Sequence, residues 1–330
     1  MTAVGSSIPG FSGPFARGNF RDQASRLRAL VDAHRLVQTA EALPQSVQPP
    51  AAAHRRCPVI TITSGKGGVG KTNLCVNLAV LFARSGKRVT LVDADLGLAN
   101  ADVLLGLSPT LRLEAAIESH DGTRSMSRIA IQGPEGVRLV PGSVGLPRFA
   151  ELSDKQRDTL IAQLVELEAS SDVILIDTGA GIGPSVLSFV GAADLAVVVA
   201  TPEPTAMADA YAMVKAVRAS GKHETELGLV INMADSSAEG EWAAGRISAV
   251  AERFLGSSPA VLGILRRHAT IPAAVKLRKP FVAGMPQGEA AQEVEAIASR
   301  LSELLNLGIS IADPKPRSFW DRLRSTIKAR

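Results

Sequence analysis

The chain has 330 residues, 46% of them hydrophobic and 21% charged, which describes a soluble globule with a large core and excludes a disordered polymer. Subtracting 32 acidic from 36 basic residues leaves +4, which excludes a polyelectrolyte, while a pI near 9.3 permits contact with anionic lipid or nucleic acid. Two cysteines, Cys57 and Cys75, without a Cys-x-x-Cys pair exclude a disulfide framework and point to a reducing cytoplasm.

Residues 1–20 carry scattered apolar positions among Gly, Ser and Pro, with no signal-peptide hydrophobic stretch. No apolar run along the chain approaches the roughly 20 residues of a membrane-spanning helix, so any membrane contact is expected to be peripheral. Residues 21–43 lack Gly and Pro, and Leu27, Leu30, Val31, Val37 and Leu43 punctuate them in the manner of an amphipathic helix. Pro44, Pro49, Pro50 and Ala51–Ala53 then read as a linker. The expected organisation is an N-terminal extension over 1–57, a folded domain over 58–307 and a linker with a short helix over 308–330.

Within the folded domain, apolar runs alternate with helical patterns. The predicted strands are Val59–Thr63, Arg88–Val92, Val137–Val140, Val173–Asp177, Leu195–Ala200, Leu227–Ile231 and Val261–Ile264. Unbroken Val/Ile/Leu runs suit strands covered on both faces, and intervening helices imply right-handed crossovers. The expected fold class is therefore α/β, a doubly wound and mostly parallel sheet with its chemistry at the carboxyl ends of the strands.

The first strand runs into Gly65-Lys66-Gly67-Gly68-Val69-Gly70-Lys71-Thr72, followed by Asn73. Its spacing fits G-x-x-x-x-G-K-[ST], in which backbone N–H groups cradle phosphates and Lys71 neutralises the β and γ charges. The Thr72 hydroxyl is positioned to ligate Mg²⁺, and the helix that starts there adds its positive end. Lys66 is needed for none of this. Asp93 and Asp95 end the second strand and Asp177 ends another, where carboxylates can hold Mg²⁺ through its water shell. Simple turn capping is the alternative for Asp93 and Asp177. Asp95, past the strand end, is the better candidate to position an attacking water.

Lys-Gly-Gly-Val-Gly-Lys-Thr, Asp-Ala-Asp-Leu-Gly and Asp-Thr-Gly-Ala-Gly together resemble the deviant-Walker P-loop NTPases of the MinD/ParA type, over roughly Val59 to Asn306. The resemblance implies ATP and Mg²⁺ as cofactors, an ATP-dependent homodimer, and a Lys66 that reaches the other subunit's phosphates. Physically, such a lysine resembles an arginine finger supplied in trans. It also implies that Asn232 reads the adenine, an ordinary turn asparagine being the alternative. The family's Pro-x-Asp segment is not kept; Arg266 and His268 stand there.

Both ends of the chain narrow the resemblance. Asp22-Gln23-Ala24-Ser25-Arg26-Leu27-Arg28 is similar to the N-terminal element of the FlhG (FleN) branch, the flagellar number regulators. By that resemblance Asp22, Gln23, Ala24, Leu27 and Arg28 contact and stimulate the flagellar GTPase FlhF, and flagellar switch (C-ring) proteins are further partners. At the other end Phe319, Trp320, Leu323 and Ile327 lie close to one helical face among Arg317, Arg322, Arg324, Lys328 and Arg330, which suits a helix lying on anionic lipid. A tail packed on its own core or on a protein partner is the alternative.

The expected function is an ATP hydrolase that switches between a cytosolic monomer and a membrane-bound dimer and governs flagellar number or placement. A MinD-like division-site regulator and a ParA-like DNA partition ATPase are the rival readings, nucleic acid being disfavoured by the near-neutral charge.

Overall fold

A computed structural model of the chain describes residues 57–95, 99–118, 125–143, 163, 166–220, 225–307 and 322–323. The chain divides into two units, Met1–His54 and Arg55–Arg330, and everything below concerns the second. The predicted element at Asp22–Arg28, the helix over 21–43 and the tail residues Phe319, Trp320 and Ile327 lie outside the described residues.

The chain enters through β1 (Val59–Ser64) and turns at Gly70 into α1 (Lys71–Arg84). There follow β2 (Val89–Ala94), α2 (Ala101–Leu104), α3 (Leu113–Glu118), α4 (Met126–Ile129), β3 (Ile131–Gln132) and β4 (Arg138–Val140). The second half alternates regularly: β5 (Val173–Ala180), α5 (Pro184–Ala192), β6 (Leu195–Ala200), α6 (Pro204–Ala219), β7 (Glu226–Ala234), α7 (Ser237–Leu255) and β8 (Ala260–Arg266). The short α8 (Thr270–Lys276) and α9 (Phe281–Gly284) lead into the closing helix α10 (Glu289–Leu307).

Local chemistry explains several of these boundaries. Helices α5 and α6 both begin on a proline, whose missing N–H is no loss in a first turn. At the start of α7 the Ser236 hydroxyl accepts from the Glu239 N–H while the Glu239 carboxylate accepts from the Asp235 N–H, a reciprocal cap. That helix stops at Gly256, whose φ of 67° a side chain would resist.

The sheet has the order β3-β4-β2-β5-β1-β6-β7-β8, parallel throughout except for the β3–β4 pair. All seven predicted strands are present: five are lengthened by one to four residues, Leu195–Ala200 is unchanged and Val137–Val140 is one residue shorter. The two-residue β3 was not predicted. Successive β1 residues serve opposite faces: Val59 joins a cluster with Val92, Ile174, Ile176 and Phe189, while Ile60 and Ile62 join Leu74, Leu78, Leu91 and Leu175. Both faces are dry, as continuous apolar strands require. Register places Asp93 of β2 directly beside Asp177 of β5, so the two carboxylates end adjacent strands at the same level.

Candidate nucleotide site

The loop between β1 and α1 is held by its own backbone chemistry. The Ser64 hydroxyl donates to the Lys66 carbonyl at 2.8 Å, and the Gly181 N–H donates to the Ser64 carbonyl at 2.8 Å. Gly68 and Gly70 have φ of 81° and 85°, a region closed to most side chains. Gly65 serves another purpose, since a Cβ there would fall 2.2 Å from the Asp209 carbonyl oxygen on α6. The loop is thus clamped between α6 and the end of β7, and Val69 alone of its residues reaches into the core.

Lys71 and Asp177 meet at 3.1 Å, with side chains 8% and 0% exposed. Burial pushes the Asp177 carboxyl up, and the Lys71 ammonium and Thr72 hydroxyl pull the other way. Asp177 Oδ2 is buried without a hydrogen-bond partner. An orphaned carboxylate oxygen next to Thr72, at the mouth of a phosphate loop, fits a hydrated Mg²⁺ ion. Among the described residues no cluster of three or more His, Cys, Asp or Glu could cage a metal unaided.

Asp93 is held by the main chain around it. It is 2% exposed, and both its oxygens accept main-chain N–H groups: Oδ1 from Asp95 at 3.1 Å, Oδ2 from Asn100 and Ala101 at 3.0 Å each. The side chain thus binds the Asp95, Asn100 and Ala101 N–H groups together and caps α2, which has no side-chain cap at Asn100. Both of its oxygens are engaged with main-chain N–H groups. Burial and the neighbouring Asp177 charge raise its pKa to about 7, against the pull of the Ala101 and Asp95 N–H groups. Asp95 itself lies over Gly179, where a Cβ would come within 3.5 Å of Oδ1.

Lys66 points away from the cradle. Its ammonium sits 2.9 Å from Glu203 Oε2 and 3.1 Å from Thr205 Oγ1, on the turn into α6. With side chains 40% and 64% exposed, the Lys66–Glu203 pair is a surface ion pair, the class worth about 0–1 kcal/mol. Glu203 and Thr205 were missed by sequence reading, although Thr201-Pro-Glu-Pro-Thr205 marks a helix start.

Asn232 stands near the end of β7, against the phosphate loop. Its Nδ2 donates to the Val69 carbonyl at 2.8 Å, and its Oδ1 accepts from the Met233 N–H at 2.9 Å. The amide bolts β7 to the phosphate loop through space that a Cβ on Gly70 would fill, 2.2 Å from Nδ2. One Nδ2 hydrogen and one Oδ1 lone pair remain, the donor and acceptor that reading a purine edge calls for. Asn73 uses its Oδ1 within α1, accepting from Asn77 at 2.9 Å. Arg266 and His268, in the place of the family's Pro-x-Asp, are both held by Glu293. Arg267 pairs with Asp235 at 2.9 Å.

At the opposite, amino end of the strands lie the two described tail residues. Leu323 is 0% exposed, in the cluster with Cys57, Val59, Phe189 and Ala192. Arg322 donates to the Ala192 carbonyl at 2.8 Å and pairs with Asp194 at 2.8 Å, and Asp194 also accepts from the Val59 N–H at 2.9 Å. Leu323, expected on lipid, is buried in this cluster.

The comparisons agree with this geometry. The model of the CobQ/CobB/MinD/ParA nucleotide binding domain matches residues 60–281. Antiactivator FleN of Pseudomonas aeruginosa is 40% identical over 244 residues, 74% of this chain and 85% of that protein. The flagellum site-determining protein YlxH of Helicobacter pylori is 34% identical over 269 residues, 80% of this chain and 88% of its own length. Among solved structures, the MinC:MinD cell division protein complex of Aquifex aeolicus superposes with a TM-score of 0.61 at 26% identity, covering 79% of this chain and 99% of that one. With its two-lysine loop, its parallel sheet and a family match spanning most of the folded unit, the chain belongs to the MinD/ParA family of nucleotide-binding proteins.

Proposed function

We propose that the protein is an ATP-hydrolysing switch that governs flagellar number or placement by alternating between a monomer and an ATP-bound homodimer. One observation carries this reading: the second lysine of the loop, Lys66, stands outside its own phosphate cradle on a weak surface contact with Glu203. A cation so loosely held at the site's mouth is free to exchange Glu203 for the phosphates of a second copy. Its charge would then oppose the negative charge that develops during phosphoryl transfer, so that pairing and turnover are linked.

The other residues have separable tasks. Backbone N–H groups from Gly67 to Lys71 cradle the phosphates, and Lys71 carries the main positive charge toward them. Thr72 and the orphaned Asp177 oxygen would hold Mg²⁺, whose charge offsets that of the β and γ phosphates. Asp95 orients the attacking water, and Asp93 keeps the segment bearing Asp95 folded. The name of YlxH, a flagellum site-determining protein, supports the flagellar output over septum placement.

Membrane attachment through Phe319, Trp320, Leu323 and Ile327 requires Leu323 to leave the core cluster it occupies and Arg322 to leave Asp194. Nucleotide-driven pairing is the step that supplies the difference, because two weak anchors on one dimer bind far better than one. Adding a non-hydrolysable ATP analogue is therefore expected to double the 34.5 kDa solution mass and to pellet the protein with anionic liposomes. ADP should do neither. A particle that stays monomeric with both nucleotides contradicts the switch.

The segment around Gln23 and Arg28 is proposed to act on a flagellar GTPase of the FlhF type, with Gln23 orienting a water and Arg28 meeting phosphate or carboxylate. The full chain should raise such a GTPase's rate, and a chain lacking residues 21–43 should not. Equal stimulation by both would remove the segment from the account.

A further inference from the structure

We infer that Arg112 is a positioning residue for the hydrolytic step, acting on the Asp95 segment through Asp102 and Gly142. The inference rests on the reading of Asp95 as the water-orienting group.

Arg112 stands in the loop before α3, outside every motif recognised in the sequence. Its guanidinium reaches two parts of the chain at once. Nη2 pairs with Asp102 Oδ2 at 2.6 Å, and Nη1 donates to the Gly142 carbonyl at 3.2 Å. Asp102 is buried within α2, its other oxygen accepting from the Val103 N–H at 2.8 Å. Gly142 follows β4 and is pressed against the catalytic segment: a Cβ there would lie 2.7 Å from the Asp93 carbonyl and 2.8 Å from the Ala99 Cβ.

The consequence is a two-sided clamp. From inside, Asp93 gathers the N–H groups of Asp95, Asn100 and Ala101. From outside, Arg112 ties the helix that begins at Ala101 to the Gly142 strand end on which Ala99 rests. The Leu113 N–H adds a bond to the Pro141 carbonyl at 3.1 Å, fixing the Arg112 backbone to the same strand end. The two contacts use the two terminal nitrogens of a fixed, planar fork, a geometry that the single ammonium of a lysine does not reproduce. The two partners of the Arg112 guanidinium, Asp102 and Gly142, lie outside the phosphate loop, so its loss should leave nucleotide binding largely intact. It should instead let the segment carrying Asp95 open more often, and so lower the rate of the step that needs Asp95 in place.

The test compares Arg112→Met and Arg112→Lys in the full chain, with ATP turnover and hydrogen exchange of the Asn100 and Ala101 amides as readouts. For Arg112→Met, kcat is expected to fall about tenfold with KM for ATP within about threefold, and both amides to exchange about tenfold faster. Arg112→Lys should fall between this variant and the parent, and it carries the test alone if the methionine variant does not fold. Unchanged exchange at both amides, or a raised KM with unaltered kcat, overturns the inference. Normal turnover by Asp95→Ala would instead overturn the role given to Asp95, and faster exchange in Arg112→Met would still establish the clamp.

Discussion

Lys66→Ala is expected to bind ATP nearly as well as the parent chain, yet to remain monomeric and to turn over at least about a thousandfold more slowly. Binding survives because Lys71, Thr72 and the loop's N–H groups are untouched. The fold survives because the substitution removes only an exposed pair with Glu203, in the class worth about 0–1 kcal/mol. Turnover falls because a finger-type cation contributes on the order of 10³–10⁵ to phosphoryl transfer. Calorimetric titration with ATP, light scattering and a phosphate-release assay read the three quantities. Unchanged pairing and turnover would return Lys66 to the surface of its own subunit.

Asp95→Ala is expected to do the reverse to the dimer. Loss of a positioned base or water-orienting group lowers rates by on the order of 10²–10⁴, while leaving phosphate contacts in place. The variant should therefore accumulate as an ATP-bound pair with turnover near background, measured by scattering at long incubation with ATP rather than an analogue. A pair that dissolves at the parent rate removes Asp95 from the chemistry. Asp93 is the instructive contrast: its carboxylate is engaged by three main-chain N–H groups, so replacing it disturbs where Asp95 sits rather than what Asp95 does.

Features that depend on short stretches of chain were legible in the sequence. Runs such as Val173–Ile176 and Leu195–Ala200 announce buried parallel strands through composition alone, and the loop at Gly65–Thr72 announces its ligand through spacing. The two-residue β3 was not legible, because its antiparallel pairing with β4 depends on a partner and not on a pattern.

The site divides along the same line. Lys71 and Asp177 were readable because each ends a recognisable segment. Glu203 lies 137 residues from Lys66, and no local pattern links them. Asn232 was placed at the correct strand end, but its orientation follows from the absence of a side chain at Gly70, 162 positions away in the sequence. Leu323 was read for its amphipathic neighbourhood, which suits lipid and suits a cleft beside Phe189 equally.

The claim at the centre of this account is that Lys66 works on the other subunit's nucleotide. Mixing Lys66→Ala with Asp95→Ala, each inactive alone, tests it most directly. In a mixed pair, the site that retains Asp95 receives Lys66 from its partner. Each mixed pair that forms carries one complete site, so turnover of the mixture should rise well above that of either variant alone. Turnover that stays at the background of the two separate variants would contradict action in trans.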